Sequence, residues 1–245
     1  MSVALVTGAG GGIGRAIALT LARQGADLAV LDIDAVQGRE TAKLIESEGG
    51  QAVFFEADMA EGARVQTCVQ EVEHRLGPIE VFANNAGIEG VVAPIHQYPD
   101  DVFDRLLQVN AMGVFLGLKY VLARMMQRGR GAVVNTASTS SIRGRAGLAG
   151  YVATKHAVLG LTRVAALDVA PSGVRVNAVL PGPVDTRMIQ SLDEQARSAG
   201  GIQRADEALY ATPQQVADVV VFLLSAQASH VNGAAWVVDG GVTAC

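Results

Sequence analysis

Tyr151 and Lys155 stand four positions apart in this chain. On a helix, positions i and i+4 lie one above the other on the same face, so a phenol and an ammonium share one space. A nearby ammonium favours the phenolate, which predicts a Tyr151 pKa below the usual value of about 10. A phenol tuned in this way can give or take a proton at an alcohol or carbonyl oxygen. The same pair also fits a half-buried tyrosine beside a surface lysine, so its meaning depends on the elements around it.

Short apolar runs at 3–6, 28–31, 52–55, 81–83, 132–135, 175–179 and 235–238 read as strands buried on both faces. Amphipathic stretches at 14–24, 35–48, 61–76, 101–127, 151–170 and 213–224 read as the helices between them. This alternation predicts an α/β fold: a Rossmann-type, doubly wound, mostly parallel seven-stranded sheet with helices on both faces. No repeat, linker or low-complexity tract divides the chain, so residues 1–245 are expected to form a single dinucleotide-binding and catalytic domain. A TIM barrel has the same alternation but gives no reason for a glycine-rich turn after the first strand.

That turn is Thr7-Gly8-Ala9-Gly10-Gly11-Gly12-Ile13-Gly14. Its G-x-x-x-G-x-G spacing departs from the strict G-x-G-x-x-G fingerprint but serves the same physics. Glycines allow a tight turn and close approach of a pyrophosphate, which the first amides of the following helix can hold. Asp32 ends the second strand, eighteen residues beyond Gly14, near the spacing of an acid that binds adenosine ribose hydroxyls. Its charge would repel a 2′-phosphate. No basic residue at 33, 34 or 10–13 would receive one. NAD is therefore the expected cofactor. The same placement also fits an aspartate capping the next helix.

These motifs resemble the short-chain dehydrogenase/reductase family, of the compact single-domain kind, from end to end. Residues 7–14 match its T-G-x-x-x-G-x-G turn, and Asn84-Asn85-Ala86-Gly87 its N-N-A-G motif. Ser138, thirteen residues before Tyr151, resembles its serine–tyrosine pair, and Asn110 its proton-relay asparagine. Pro181-Gly182 matches the P-G turn, Thr186 the carboxamide position, and Asp239-Gly240-Gly241 the C-terminal D-G-G. The resemblance implies a catalytic set of Asn110, Ser138, Tyr151 and Lys155. Asn110 would hold a water linking Lys155 to solvent. The implied cofactor site comprises Gly8, Gly12, Ile13, Gly14, Asp32, Ile33, Asp58, Met59, Asn85, Ala86, Gly87, Tyr151, Lys155, Pro181, Gly182, Val184 and Thr186. Asp58 would lie at the adenine ring. The implied reaction is hydride transfer between nicotinamide C4 and the carbon of a secondary alcohol or ketone. A homotetramer is expected, since the family pairs its long helices across two-folds and those at 101–127 and 151–170 are apolar on more than one side. An NADPH-type reductase of 3-oxoacyl thioesters is the rival reading. A non-catalytic dinucleotide-binding scaffold would require damage at Ser138, Tyr151 or Lys155, and each is intact.

Other residues read more plainly. Ser140 and Ser141 crowd Ser138. Glu89, Arg143 and Arg145 are expected as solvated loop charges. His96, His156 and His230 are expected to be structural, and His74 exposed; none has metal-ligand spacing. Residues 183–212, with Met188, Ile189, Leu192, Ile202, Leu209 and Tyr210, are expected to form a mobile cover over an apolar substrate. Half of the residues are hydrophobic, 18% are charged, and the net charge is −5. No basic patch suggests nucleic acid, and no apolar stretch approaches the ~20 residues of a membrane span. Two isolated cysteines, Cys68 and Cys245, and a strand-like run at 3–6 with no signal pattern before it point to a reducing cytoplasm.

Overall fold

The computed structural model describes residues 2–198 and 210–244. Its seven strands are β1 Val3–Thr7, β2 Asp27–Asp32, β3 Ala52–Glu56, β4 Ile79–Asn84, β5 Gly131–Thr136, β6 Val174–Pro181 and β7 Ala235–Val238. All pair in parallel, in the order β3-β2-β1-β4-β5-β6-β7. The helices are α1 Gly12–Arg23, α2 Ala35–Ser47, α3 Gly62–Leu76, α4 Asp100–Leu106, α5 Gly113–Arg128, α6 Ala149–Val169, α7 Arg187–Ser198 and α8 Pro213–Leu224.

The period-2 alternation of a strand sends successive side chains to opposite faces, and here each face has its own core. Val3 and Leu5 of β1 join Val69, Val121 and Val158 beneath α3, α5 and α6. Ala4 and Val6 join Ile17, Ile45 and Val220 beneath α1, α2 and α8. Both faces being covered is why the strands read as continuous apolar runs. The sheet grows outward from β1 to β3, then returns to place β4 against the other side of β1. That reversal opens a crevice at the carboxyl ends of β1 and β4, where ligands bind in open α/β sheets.

One expectation needs correction. The single helix read at 101–127 is broken: a π-helical segment, Leu107–Met112, separates α4 from α5. Such bulges gather at functional sites, and this one carries Asn110. The run Asp100–Arg128 is long and apolar enough, by length and composition, to cross a membrane. However, 56% of its most apolar window is buried inside the fold, as in a core helix. The stretch 183–212 contains an ordered helix. Its first part is α7, amphipathic, with Leu192, Asp193 and Ala196 buried, and the Tyr210 hydroxyl donates to Asp193 Oδ2 at 3.0 Å. Gly200, Gly201, Ile202 and Leu209 lie outside the described residues, as does Cys245. Cys68 is fully buried, and burial pushes its thiol up to about 12, so it stays an unreactive core residue. His96, His156 and His230 are exposed, with His156 Nδ1 2.9 Å from Val152 O, and His74 is exposed as expected.

Candidate active site

A cavity of about 860 Å³ opens at the strand ends, lined at one side by the glycine turn and at the other by Ser138, Tyr151 and Lys155. Of the residues assigned to the cofactor, every one except Gly14 lines it. Gly14 instead lets α1 pack onto the turn, since a Cβ there would overlap the Gly8 carbonyl. Gly8 and Gly12 hold φ of 64° and 50°, a region that L side chains rarely adopt. The Thr7 hydroxyl accepts the Asn85 and Ala86 amides at 2.9 and 3.1 Å, tying the end of β4 to the end of β1. The Asn85 amide donates to Thr7 O at 3.1 Å and accepts from the Thr136 hydroxyl at 3.1 Å.

Asp32 faces the turn. Its Oδ2 accepts the Gly10 amide at 2.7 Å and its Oδ1 the Asp34 amide at 2.9 Å. Capping of α2 falls to Asp34, which accepts from Val36 and Gln37, so Asp32 is not a helix cap. Sequence reading missed Arg15, one residue past the glycine turn. Its guanidinium is occupied by Gly10 O at 2.6 Å, Gln37 Oε1 at 3.0 Å and Glu40 at 2.9 Å. Asp58 accepts the Ala60 amide and pairs with Arg105 at 2.9 Å. Burial pushes its carboxyl up, but that amide and the guanidinium outweigh it and hold the group below the usual range.

Ser138, Tyr151 and Lys155 meet at the other end. Ser138 caps a short 3-10 turn, Thr139–Ser141. Its Oγ accepts the Ser140 amide at 3.0 Å, while the Ser141 hydroxyl accepts the Ser138 amide at 3.2 Å. The Ser140 amide and the Ser141 hydroxyl therefore help to orient Ser138, while Ser140 also lines the cavity. Ser138 and Tyr151 line this end of the cavity together, and the Ser138 side chain favours the Tyr151 phenolate. Lys155 is 4% exposed, and its Nζ lies 5.6 Å from the Tyr151 ring centroid. It donates to Thr136 O at 2.8 Å. No side-chain pattern marks such a backbone acceptor, so Thr136 went unread.

Electrostatics overturn one expectation. The Tyr151 pKa is raised, not lowered. Burial of the phenol dominates, the Ser138 hydrogen bond and the Arg145 charge oppose it, and Glu89 adds to it. The same burial brings the Lys155 ammonium from the usual 10.5 to about 8. Spacing alone weighed the ammonium and not the desolvation that both groups share.

Asn110 is fully buried behind the cavity wall. Its Oδ1 accepts the Ile88 amide and its Nδ2 donates to Ile88 O, both at 2.8 Å. The side-chain amide is thus committed to the backbone just after the N-N-A-G motif. A Cβ on Gly87 would sit 3.2 Å from Asn110 Oδ1 and 3.6 Å from Lys155 Nζ. Gly182 presses against Asp239, whose Cβ lies 2.7 Å from where a Cβ on Gly182 would stand. Thr186 turns its hydroxyl to Val184 O at 3.2 Å. Arg143 and Arg145 are half-buried, not solvated. Arg143 reaches Val242 O at 3.5 Å, and Arg145 lines the cavity.

Comparison with known proteins shows the family. Residues 8–243 match a family model described as Enoyl-(Acyl carrier protein) reductase. Levodione reductase of Leifsonia aquatica is 38% identical over 251 residues, covering 99% of this chain and 94% of the relative. The crystal structure of NAD+-bound xylitol dehydrogenase superposes with a TM-score of 0.94 at 34% identity, covering 98% of each chain. That of a 3-ketoacyl-ACP reductase from Sinorhizobium meliloti 1021 superposes at 0.90 and 33% identity, again over 98% of each. A chain matched along nearly its whole length, in sequence and in fold, belongs to the short-chain dehydrogenase/reductase family of oxidoreductases.

Proposed function

We propose that this protein is an NAD(H)-dependent oxidoreductase interconverting a secondary alcohol and a ketone, with residues 1–245 acting as one domain. The observation that carries the reading is Ser138, Tyr151 and a buried Lys155 lining one end of a cavity that begins at the glycine turn. The residues fit a dinucleotide. Gly11, at the start of α1, has no side chain to cap the helix, so its first amides are open to phosphate oxygens, and Asp32 stands where ribose hydroxyls would lie.

Bound nicotinamide supplies or accepts the hydride. In ketone reduction, Tyr151 donates its phenolic proton to the substrate oxygen. Ser138 hydrogen-bonds that oxygen as negative charge develops on it. Lys155 restores the proton to the phenolate, so one hydride and one proton are added in all. Asn110 supports this exchange by fixing Ile88 and the wall beside Lys155. Met188, Ile189 and Leu192 of α7 line the cavity and support the reading of 183–212 as a cover over an apolar substrate body. Phe115, Val164 and Leu167 are 42%, 58% and 77% exposed on α5 and α6, which supports burial of those helices in a homotetramer.

A rival reading, an NADPH-type 3-oxoacyl thioester reductase, draws on the likeness to the 3-ketoacyl-ACP reductase. Asp32 and the prior engagement of Arg15 by Glu40 argue against a 2′-phosphate. Asp32→Ser is expected to lower kcat/KM with NAD by about 10–100-fold, the effect of losing hydrogen bonds to a charged acceptor, and to raise the NADP rate. An unchanged NAD:NADP ratio would remove Asp32 from the cofactor. A panel of secondary alcohols and ketones, read by absorbance of the reduced nicotinamide, tests the activity. No turnover of any with either nucleotide would refute it, and use of 3-oxoacyl thioesters with NADPH alone would favour the rival.

A further inference from the structure

Arg187 opens α7, whose first turn contains no acidic residue. Its side chain is exposed and makes no hydrogen bond or ion pair with any described residue. It nevertheless lines the cavity, and one terminal guanidinium nitrogen lies 3.3 Å from where a Cβ on Gly11 would stand. Beside it, the Thr186 methyl lies 3.1 Å from the corresponding position on Gly12. The start of α7 therefore rests on the start of α1.

This crowding of positive charge is unfavourable in the free protein. The amino end of a helix carries partial positive charge and prefers an anion. Here two such ends meet, α1 lacks a side-chain cap and an acid in its first turn, and the side chain added between them is a cation. The nearby acid, Asp185, has its Oδ1 engaged by the Gln190 side chain at 3.1 Å. An arginine in this position gains most from an anion with several oxygens, because its planar fork donates two parallel hydrogen bonds.

We infer that Arg187 binds the pyrophosphate of the dinucleotide from the α7 side of the cavity, opposite the amides of the glycine turn. The inference rests on the dinucleotide reading above and adds a residue that none of the chain's glycine, N-N-A-G or P-G motifs contains. Binding the pyrophosphate would fasten the start of the substrate cover to the cofactor, since Met188 and Ile189 follow directly.

The test is direct titration of the full chain, by calorimetry, with NADH, ADP-ribose and adenosine. Arg187→Ala is expected to weaken NADH and ADP-ribose binding about tenfold at low salt, with the difference shrinking at high salt as the charge is screened. Adenosine, which has no phosphate, should bind both proteins equally. Arg187→Gln, of similar length and uncharged, should behave as the alanine variant does, and Arg187→Lys should keep much of the affinity. If ADP-ribose binds Arg187→Ala as tightly as the parent at low salt, the inference is wrong and the dinucleotide reading stands. If the parent binds neither ADP-ribose nor NADH, both fall.

Discussion

Tyr151→Phe is expected to lower kcat by about 10²–10⁴-fold, the usual contribution of a positioned proton donor, while the variant still binds the dinucleotide. The substitution removes one oxygen and leaves the ring that packs near Lys155. Ser138 stays oriented by the Ser140 amide and the Ser141 hydroxyl, so the loss reads proton transfer and not collapse of the site. The parent's pH dependence follows from the raised phenol. Burial keeps Tyr151 protonated at neutral pH, the form that donates to a ketone. Oxidation of an alcohol needs the phenolate, so its rate should climb about tenfold per pH unit while the phenol remains mostly protonated. Ketone reduction should be level below about pH 8 and fall as Lys155, brought to about 8, and then the phenol lose their protons. Full activity in Tyr151→Phe, or oxidation that is flat between pH 6 and pH 9, would remove Tyr151 from the proton path.

The elements holding this site were readable where sequence and burial report the same thing. β1 is apolar at Val3, Ala4, Leu5 and Val6 because each position is buried against one of two cores. The glycine turn was readable because Gly8 and Gly12 adopt a backbone that other residues avoid. The break at Leu107–Met112 was not, because a six-residue π segment within an apolar run does not interrupt its apolar composition. Its causes are tertiary: Asn110 clamps the Ile88 backbone, and Gly113 presses on Met59, whose Cβ is 3.1 Å from where a glycine Cβ would stand. Nor could spacing give the sign of the Tyr151 shift. The Tyr–Lys interval says which groups are neighbours; how far water is excluded from both depends on the packed site. Arg145 and Arg187 belong to the same class. A charge in a loop or at a helix start is usually solvated, and only the folded chain turns these two toward a cavity.

Lys155→Met separates stability from the proposed function most sharply, because the burial that the proposed proton relay uses opposes folding. Moving the ammonium from 10.5 to about 8 corresponds to a penalty on the order of 3 kcal/mol for holding it charged inside the fold. Below pH 8 both the folded and unfolded chains carry this proton, so the penalty is felt in full. Between about pH 8 and 10.5 the unfolded chain binds a proton that the folded chain does not, so the contribution of Lys155 makes stability rise with pH across that window. Methionine has a similar reach and no charge. It leaves Thr136 O without its 2.8 Å donor, a loss of about 1 kcal/mol, so the expected net gain at pH 7 is about 1–2 kcal/mol. That advantage should shrink toward pH 10, where the parent has shed the proton. Turnover should fall at least about 10²-fold, since nothing then restores the proton to Tyr151. Urea unfolding of both proteins at pH 7 and pH 10 checks the claim. A variant less stable than the parent at pH 7, or a difference equal at the two pH values, would mean that the buried ammonium is solvated or compensated and is not the strained group on which the proton relay depends.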